Sequence, residues 1–127
     1  METDSRKSQL NAAMTANARM LRRMLRQERG MRRHSLEQIE GDGTSSQVVL
    51  NQDEMVMGRG ADTQIRLASK RASREHAFLR LQGTDCLLVD NDSQNGVFLN
   101  GFKVHSAVLR DGDVIQVADS VFVYHED

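Results

Sequence analysis

The sequence predicts an all-β sandwich or barrel preceded by an amphipathic α-helix, and three observations carry that expectation. Beyond about residue 30 the apolar spacing changes from a helical period to a period of two. The alternating runs are short and are punctuated by Gly, Asp, Asn and Ser turn formers. No helical stretch intervenes among them, so the strands have only other strands to pack against.

The helix comes first. From about Ser8 to Gly30, a step of about 100° per residue puts Leu10, Met14, Ala18, Leu21 and Leu25 on one face. Ala13, Met20 and Met24 flank that stripe, and Arg19, Arg22, Arg26, Arg29 and Arg33 gather opposite. Asp4, Ser5 or Ser8 can cap its start and Gly30 can stop it. Asn17 and Glu28 interrupt the stripe, which argues against a sustained coiled coil. The apolar face predicts docking on the sandwich or self-association, with a partner protein as the alternative. It carries no Trp or Phe, which disfavours a membrane surface, and Glu2 and Asp4 disfavour a transit peptide.

The strand-like runs follow in order: SLEQIE, SQVVL, EMVMG, TQIRL, HAFLRL, CLLVD, GVFL, FKV, AVL, DVIQV and SVFVYH. Turn clusters such as GDGTS, NDSQNG and RDGD separate them. The helical extension is therefore assigned to residues 1–32 and the β domain to residues 33–127. Asn100-Gly101, between VFL and FKV, predicts a two-residue hairpin with positive φ at both positions. Asn95-Gly96 instead closes the polar run DNDSQNG. Spacing alone leaves open whether Asn95 shapes that turn or meets a ligand.

Composition narrows the function. At 127 residues one domain with an appendage is expected. A chain of this size hides roughly two thirds of its unfolded surface, so its core needs no staples. The single Cys86, within DCLLVD, reads as an inert buried thiol and suggests a reducing cytoplasm. No apolar run is long enough to span a bilayer and no signal-peptide core appears near Met1, so the sequon Asn91-Asp92-Ser93 carries no expectation of a glycan. Proline is absent and aromatics are 4%, which leaves no polyproline linker and little surface for stacking bases. The net charge of −1 hides an asymmetry: residues 1–40 hold 9 Lys+Arg against 5 Asp+Glu, and residues 41–127 hold 8 against 13. The two segments have opposite sign and suggest different jobs.

The stretch KRASREH, Lys70 to His76, concentrates the candidate chemistry. A Ser73–His76 nucleophile would need a strained elbow of the G-x-S-x-G kind, but Ala72 and Arg74 flank the serine. Metal binding is not supported, because His34, His76, His105 and His125 are dispersed. The loop from Asp90 resembles an EF-hand start but has Asn95 at the sixth position and Gly101 at the twelfth. GRG at Gly58–Gly60 lacks the lysine and spacing of a P-loop. Broad nucleic-acid binding conflicts with the acidic β segment. A focused anion site survives these tests: guanidinium groups plus a hydroxyl can satisfy one phosphate. No catalytic residue, metal or cofactor is expected.

The series Gly58-Arg59, Ser73-Arg74-Glu75-His76, Asn95-Gly96 and Asn100-Gly101 resembles the signature of the forkhead-associated (FHA) domain. The resemblance covers the segment from about His34 to Asp127 and excludes the helix. It implies a sandwich of about eleven short, mostly antiparallel strands that binds phosphothreonine peptides through loops at one end. On that resemblance Arg59 is the phosphate-binding arginine and Ser73 the hydroxyl that donates to a phosphate oxygen. Arg74 is a further phosphate contact, Asn95 the grip on the peptide main chain, and Gln94 a lesser contact beside it. His76 braces the binding loops from within, and Gly58, Gly96, Asn100 and Gly101 shape turns. Val97 departs from the family, where many members carry Thr or Ser after Asn-Gly. Lys70 and Arg71 read mainly as solvated surface.

Two function classes follow. The first is a phosphothreonine-dependent binding module, a cytoplasmic signalling adaptor downstream of Ser/Thr kinases. The second is a phospho-independent assembly protein that keeps the scaffold and oligomerises through its helix. The complete Arg59, Ser73 and Asn95 set favours the first. Thr3 and Thr15 add a regulatory variant, in which a phosphorylated N-terminal segment occupies the site of its own or a neighbouring chain.

Overall fold

The computed structural model describes residues 33–127, so the expected helix, Thr3 and Thr15 lie outside the described residues. The described chain forms eleven strands. In order they are β1 (His34–Ile39), β2 (Ser45–Leu50), β3 (Glu54–Gly58), β4 (Ile65–Arg66), β5 (Ala77–Gln82) and β6 (Asp85–Asp90). Then come β7 (Val97–Leu99), β8 (Phe102–Val104), β9 (Ser106–Val108), β10 (Val114–Val117) and β11 (Ser120–Glu126). They build two sheets, β2-β1-β11-β10-β7-β8 and β4-β3-β5-β6-β9. Every registered pair is antiparallel except β3–β4. The run TQIRL shrinks to the two paired residues of β4, because the chain beyond Arg66 leaves the sheet edge to form a loop.

The period of two is the packing pattern. Met55 and Met57, Ala77 and Leu79, Cys86 and Leu88, Ile115 and Val117, and Phe122 and Tyr124 are buried at alternate positions, and Leu36 joins them from β1. Each buried Leu, Ile, Met or Phe contributes about 1.5–3 kcal/mol. The core is therefore the space between the sheets, and β1, β3, β5, β6, β10 and β11 point alternate residues into it.

Two buried polar features sit within that core. The Tyr124 hydroxyl donates to Glu126 Oε1 at 3.0 Å, so the His34 Nδ1 contact at 2.5 Å must be a donation from the ring to the phenol oxygen. Burial, reinforced by the bond to Glu126, pushes the Tyr124 hydroxyl well above its ordinary range. Burial likewise pushes the Cys86 thiol up to about 12, with the Glu126 charge adding to it, which keeps the sulfur protonated and inert.

Asn100 and Gly101 carry φ of 50° and 88° and join Leu99 to Phe102, the two-residue turn that their sequence predicts. Asn100 also accepts the Val114 N–H on Oδ1 and donates to Asp113 Oδ1.

Candidate functional site

The strand ends bring three loops together: residues 59–64, 67–76 and 91–96. The turn at Ala118–Asp119, between β10 and β11, joins them. Gly58 ends β3 pressed against the second loop, where a Cβ would overlap the Arg74 carbonyl. That closeness lets the Arg59 N–H reach the Ser73 carbonyl at 2.9 Å and the Gly60 N–H reach the Arg74 carbonyl at 3.0 Å. Arg59 also donates from Nε to the Ala72 carbonyl at 3.0 Å. Its guanidinium is thereby oriented, and this Nε bond is the one its side chain makes among the described residues. The side chain is exposed.

Ser73 lies one bond away. Its N–H donates to His76 Nδ1 at 3.0 Å and its Oγ accepts the Gln94 N–H at 3.4 Å. Because Oγ only accepts there, the hydroxyl proton stays available for donation. A backbone N–H can only donate, so His76 Nδ1 must be bare and Nε2 must carry the proton. Nε2 donates to the Gly96 carbonyl at 2.8 Å. His76 is fully buried and thus fixes the second loop to the third. It is a neutral brace, not a general base for Ser73: its bare nitrogen faces the serine backbone.

The third loop is held at several further points. Asn91 donates from its backbone to the His76 carbonyl and from Nδ2 to the Glu75 carbonyl. Asn95 Nδ2 donates to the Arg71 carbonyl at 2.6 Å, which leaves Oδ1 as an acceptor. Ser93 Oγ accepts the Gly96 N–H. Gly96 has φ of 81°, and the Lys103 side chain lies over it. Asp119 accepts from Ser69 Oγ at 2.8 Å and pairs with Arg71 at 3.6 Å. Both members of that ion pair are exposed, so it contributes less to stability than to loop position.

Arg59, Ser73, Arg74, Gln94, Asn95, Gly58, His76 and Gly96 therefore meet at one end of the sandwich. Gln94 enters through its backbone N–H, and the exposed Arg74 side chain lines the same cleft as Arg59. Asn100 and Gly101 do not join them. The pair shapes the turn between β7 and β8, three residues along β7 from Gly96, where Asn100 bonds to Asp113 and Val114. Asn91, Asp119 and Lys103 belong to the cluster but were not singled out from the sequence. Asn91 had a signal, since it sits in the polar run DNDSQNG. Asp119 had none, because only the fold brings it to Ser69.

The arrangement defines a class: a two-sheet sandwich whose loops hold aimed hydrogen-bond donors at one end, with no nucleophile–base pair among them. Among the described residues no group of three His, Cys, Asp or Glu side chains is placed to hold a metal. The chain belongs to the FHA domain family, whose sequence profile matches residues 55–118. Over 82 residues it is 37% identical to the FHA domain-containing protein FhaA of Mycobacterium tuberculosis, covering 65% of this chain and 16% of that one. Over 84 residues it is 37% identical to the glycogen accumulation regulator GarA of Mycolicibacterium smegmatis, covering 66% of this chain and 53% of GarA. The chain thus spans about half the length of GarA and much less of FhaA. A structure from an analysis of phosphothreonine-dependent FHA domain interactions superposes with a TM-score of 0.66 at 34% identity, covering 73% of this chain and 95% of that one. The FhaA FHA domain, solved in complex with the intracellular domain of another protein, gives 0.65 at 35% identity, covering 72% and 99%.

Proposed function

We propose that this chain is a phosphothreonine-dependent binding module, acting as a cytoplasmic signalling adaptor downstream of Ser/Thr kinases. One observation carries the reading: the Arg59 backbone is bonded to the Ser73 backbone, so a guanidinium and a free hydroxyl proton are offered side by side. In this reading Arg59 and Ser73 bind the phosphate, and Arg74 adds a further cationic contact. Asn95 Oδ1 accepts a main-chain N–H of the peptide, with Gln94 beside it. Gly58, His76 and Gly96 hold the loops in place. The reading needs no cofactor and no catalytic step.

A phosphothreonine carries about −1.5 to −2 charges, so its arrival switches the site on. Each charge-assisted hydrogen bond contributes about 1.5–3 kcal/mol, and ordering a flexible peptide costs several. The balance gives an affinity on the order of micromolar, near −8 kcal/mol, which suits reversible signalling. The relative solved in an analysis of phosphothreonine-dependent interactions supports the same ligand class. An oriented phosphothreonine peptide library, with unphosphorylated peptides as control, tests it. Equal retention of both sets sinks the reading.

A further inference from the structure

The two sheets end in four edge strands among the described residues, β2 and β8 in one and β4 and β9 in the other. Three of them are blunted: β4 has two residues and carries Arg66, β8 has three and carries Lys103, and β9 has three. β2 is not. Its six residues, SSQVVL, contain no charge and no proline, and they pair with β1 in an unbroken register. Ser45, Ser46, Gln47 and Val49 are exposed, Val49 by 54%. No described strand pairs with the other side of β2, so alternate backbone N–H and C=O groups along it face outward.

The surroundings of that edge are acidic. Residues 34–58, which run from β1 through β2 to the end of β3, hold five Asp+Glu and no Lys or Arg. Glu37 stands opposite Gln47 in the register, and Glu40 and Asp42 lie in the connection that leads into β2. Bonds from His125 and Ser45 hold the Glu37 carboxyl below its ordinary range, and bonds from Thr44 do the same for Asp42. Both are therefore charged at neutral pH. At the far end of the strand Arg33 shares a cleft beside Val49 with Glu126 and Asp127. On the solvent face of β2 a hollow of about 270 Å³ is lined by Glu37, Ser45, Ser46, Gln47 and His125.

An unblunted edge offers backbone pairing to an extended chain, and hollows at alternate positions select its side chains. A second copy of β2 fits the pairing but not the charge, because it would set acidic segments against each other. We propose that the outer edge of β2 docks an extended, basic segment of a partner protein, which adds a seventh strand to the six-stranded sheet. A Lys or Arg of that segment enters the hollow and meets Glu37. The contact needs no phosphate and uses no residue of the phosphothreonine site, so it stands or falls apart from that reading.

Chemical-shift mapping of the isotope-labelled full chain tests this. The probes are short unphosphorylated peptides rich in Val and Thr, with Lys moved stepwise along them, and matched peptides carrying Glu in place of Lys. Lys peptides are expected to shift the amides of Ser45–Leu50 and to leave residues 59–64, 67–76 and 91–96 unmoved. Their affinity should exceed that of the Glu peptides about five- to tenfold, the scale of ion pairing open to solvent. Glu37→Gln should remove most of that preference and keep the pairing. Val49→Lys puts a cation on the edge at an exposed position. It should weaken the Lys peptides about fivefold with an unchanged denaturation midpoint. No shift with any Lys peptide, shifts confined to the phosphate-site loops, or a Lys preference that is absent in wild type or persists in Glu37→Gln overturns the inference. So do β2 shifts that grow with protein concentration in the absence of peptide, because a second copy then takes the edge. A phosphothreonine peptide titrated in parallel reads the other site, whose binding is unaffected by any of these outcomes.

Discussion

The ring of His76 donates from Nε2 to the carbonyl of Gly96 across 2.8 Å, and this buried bond joins the serine-bearing loop to the asparagine-bearing loop. Replacing His76 with Ala removes that bond, strips the Ser73 N–H of its acceptor and leaves a cavity. One buried and one half-buried polar group without partners and a lost side chain together cost about 3–5 kcal/mol. His76→Ala is therefore expected to unfold at much lower denaturant, with phosphopeptide affinity falling as the loops separate. Chemical denaturation followed by calorimetry checks both; unchanged stability would contradict the bracing role.

Arg59 is expected to behave in the opposite way. Its side chain is exposed and makes one hydrogen bond to the protein, Nε to the Ala72 carbonyl. Arg59→Ala should cost about 1 kcal/mol of stability. Phosphopeptide binding should fall at least a hundredfold, because about 3 kcal/mol of charge-assisted bonding disappears. Arg59→Lys keeps the charge but not the fork, and cannot hold Ala72 while meeting two phosphate oxygens. It should bind weakly too. Calorimetric retention of full affinity by Arg59→Ala would refute the assignment.

The difference between these two residues shows what a sequence makes legible. The eleven runs correspond to eleven strands, and most were legible because a strand that buries one face writes a period of two into the chain. The Asn100-Gly101 turn was readable for a related reason, since positive φ restricts residue choice locally. Its place relative to the site was not. A pattern of side chains along β7 does not say which end of the sandwich the next turn will occupy, and Asn100 turned out to brace Asp113. Long-range polar contacts are illegible on the same ground. Ser69 and Asp119 are 50 residues apart and meet only after both sheets have formed.

Gly58 gives a steric prediction. A Cβ there would overlap the Arg74 carbonyl, a backbone atom held by the Gly60 N–H. No side-chain rotation relieves that clash, so Gly58→Ala must push the second loop off β3. Overpacking of this kind costs about 1–3 kcal/mol. Arg59 N–H would lose the Ser73 carbonyl, and the guanidinium and hydroxyl would part. Stability and binding should fall together, with binding falling further. A mutant with wild-type midpoint and affinity would show that the close approach is dispensable.

Cys86 offers a test of the core by pH. It is the only cysteine in the sequence, and its thiol rises from 9.0 to about 12 on folding, chiefly through burial. In the unfolded chain the thiol ionises as pH passes 9, while the folded protein keeps its proton until about 12. The folded state then binds more protons than the unfolded one, so stability must fall with rising pH across that window. Tyr124, also raised on folding, adds its own loss as pH approaches and passes 10. Between about pH 9 and 10 the thiol dominates, with an expected loss of about 1 kcal/mol against a few tenths from Tyr124. Cys86→Ala should be less stable at neutral pH because of its cavity, yet should lose about 1 kcal/mol less than wild type over that interval. Urea unfolding of both proteins at pH 8, 9 and 10 measures it. Parallel pH dependences would mean that the thiol ionises as readily in the folded core as in water.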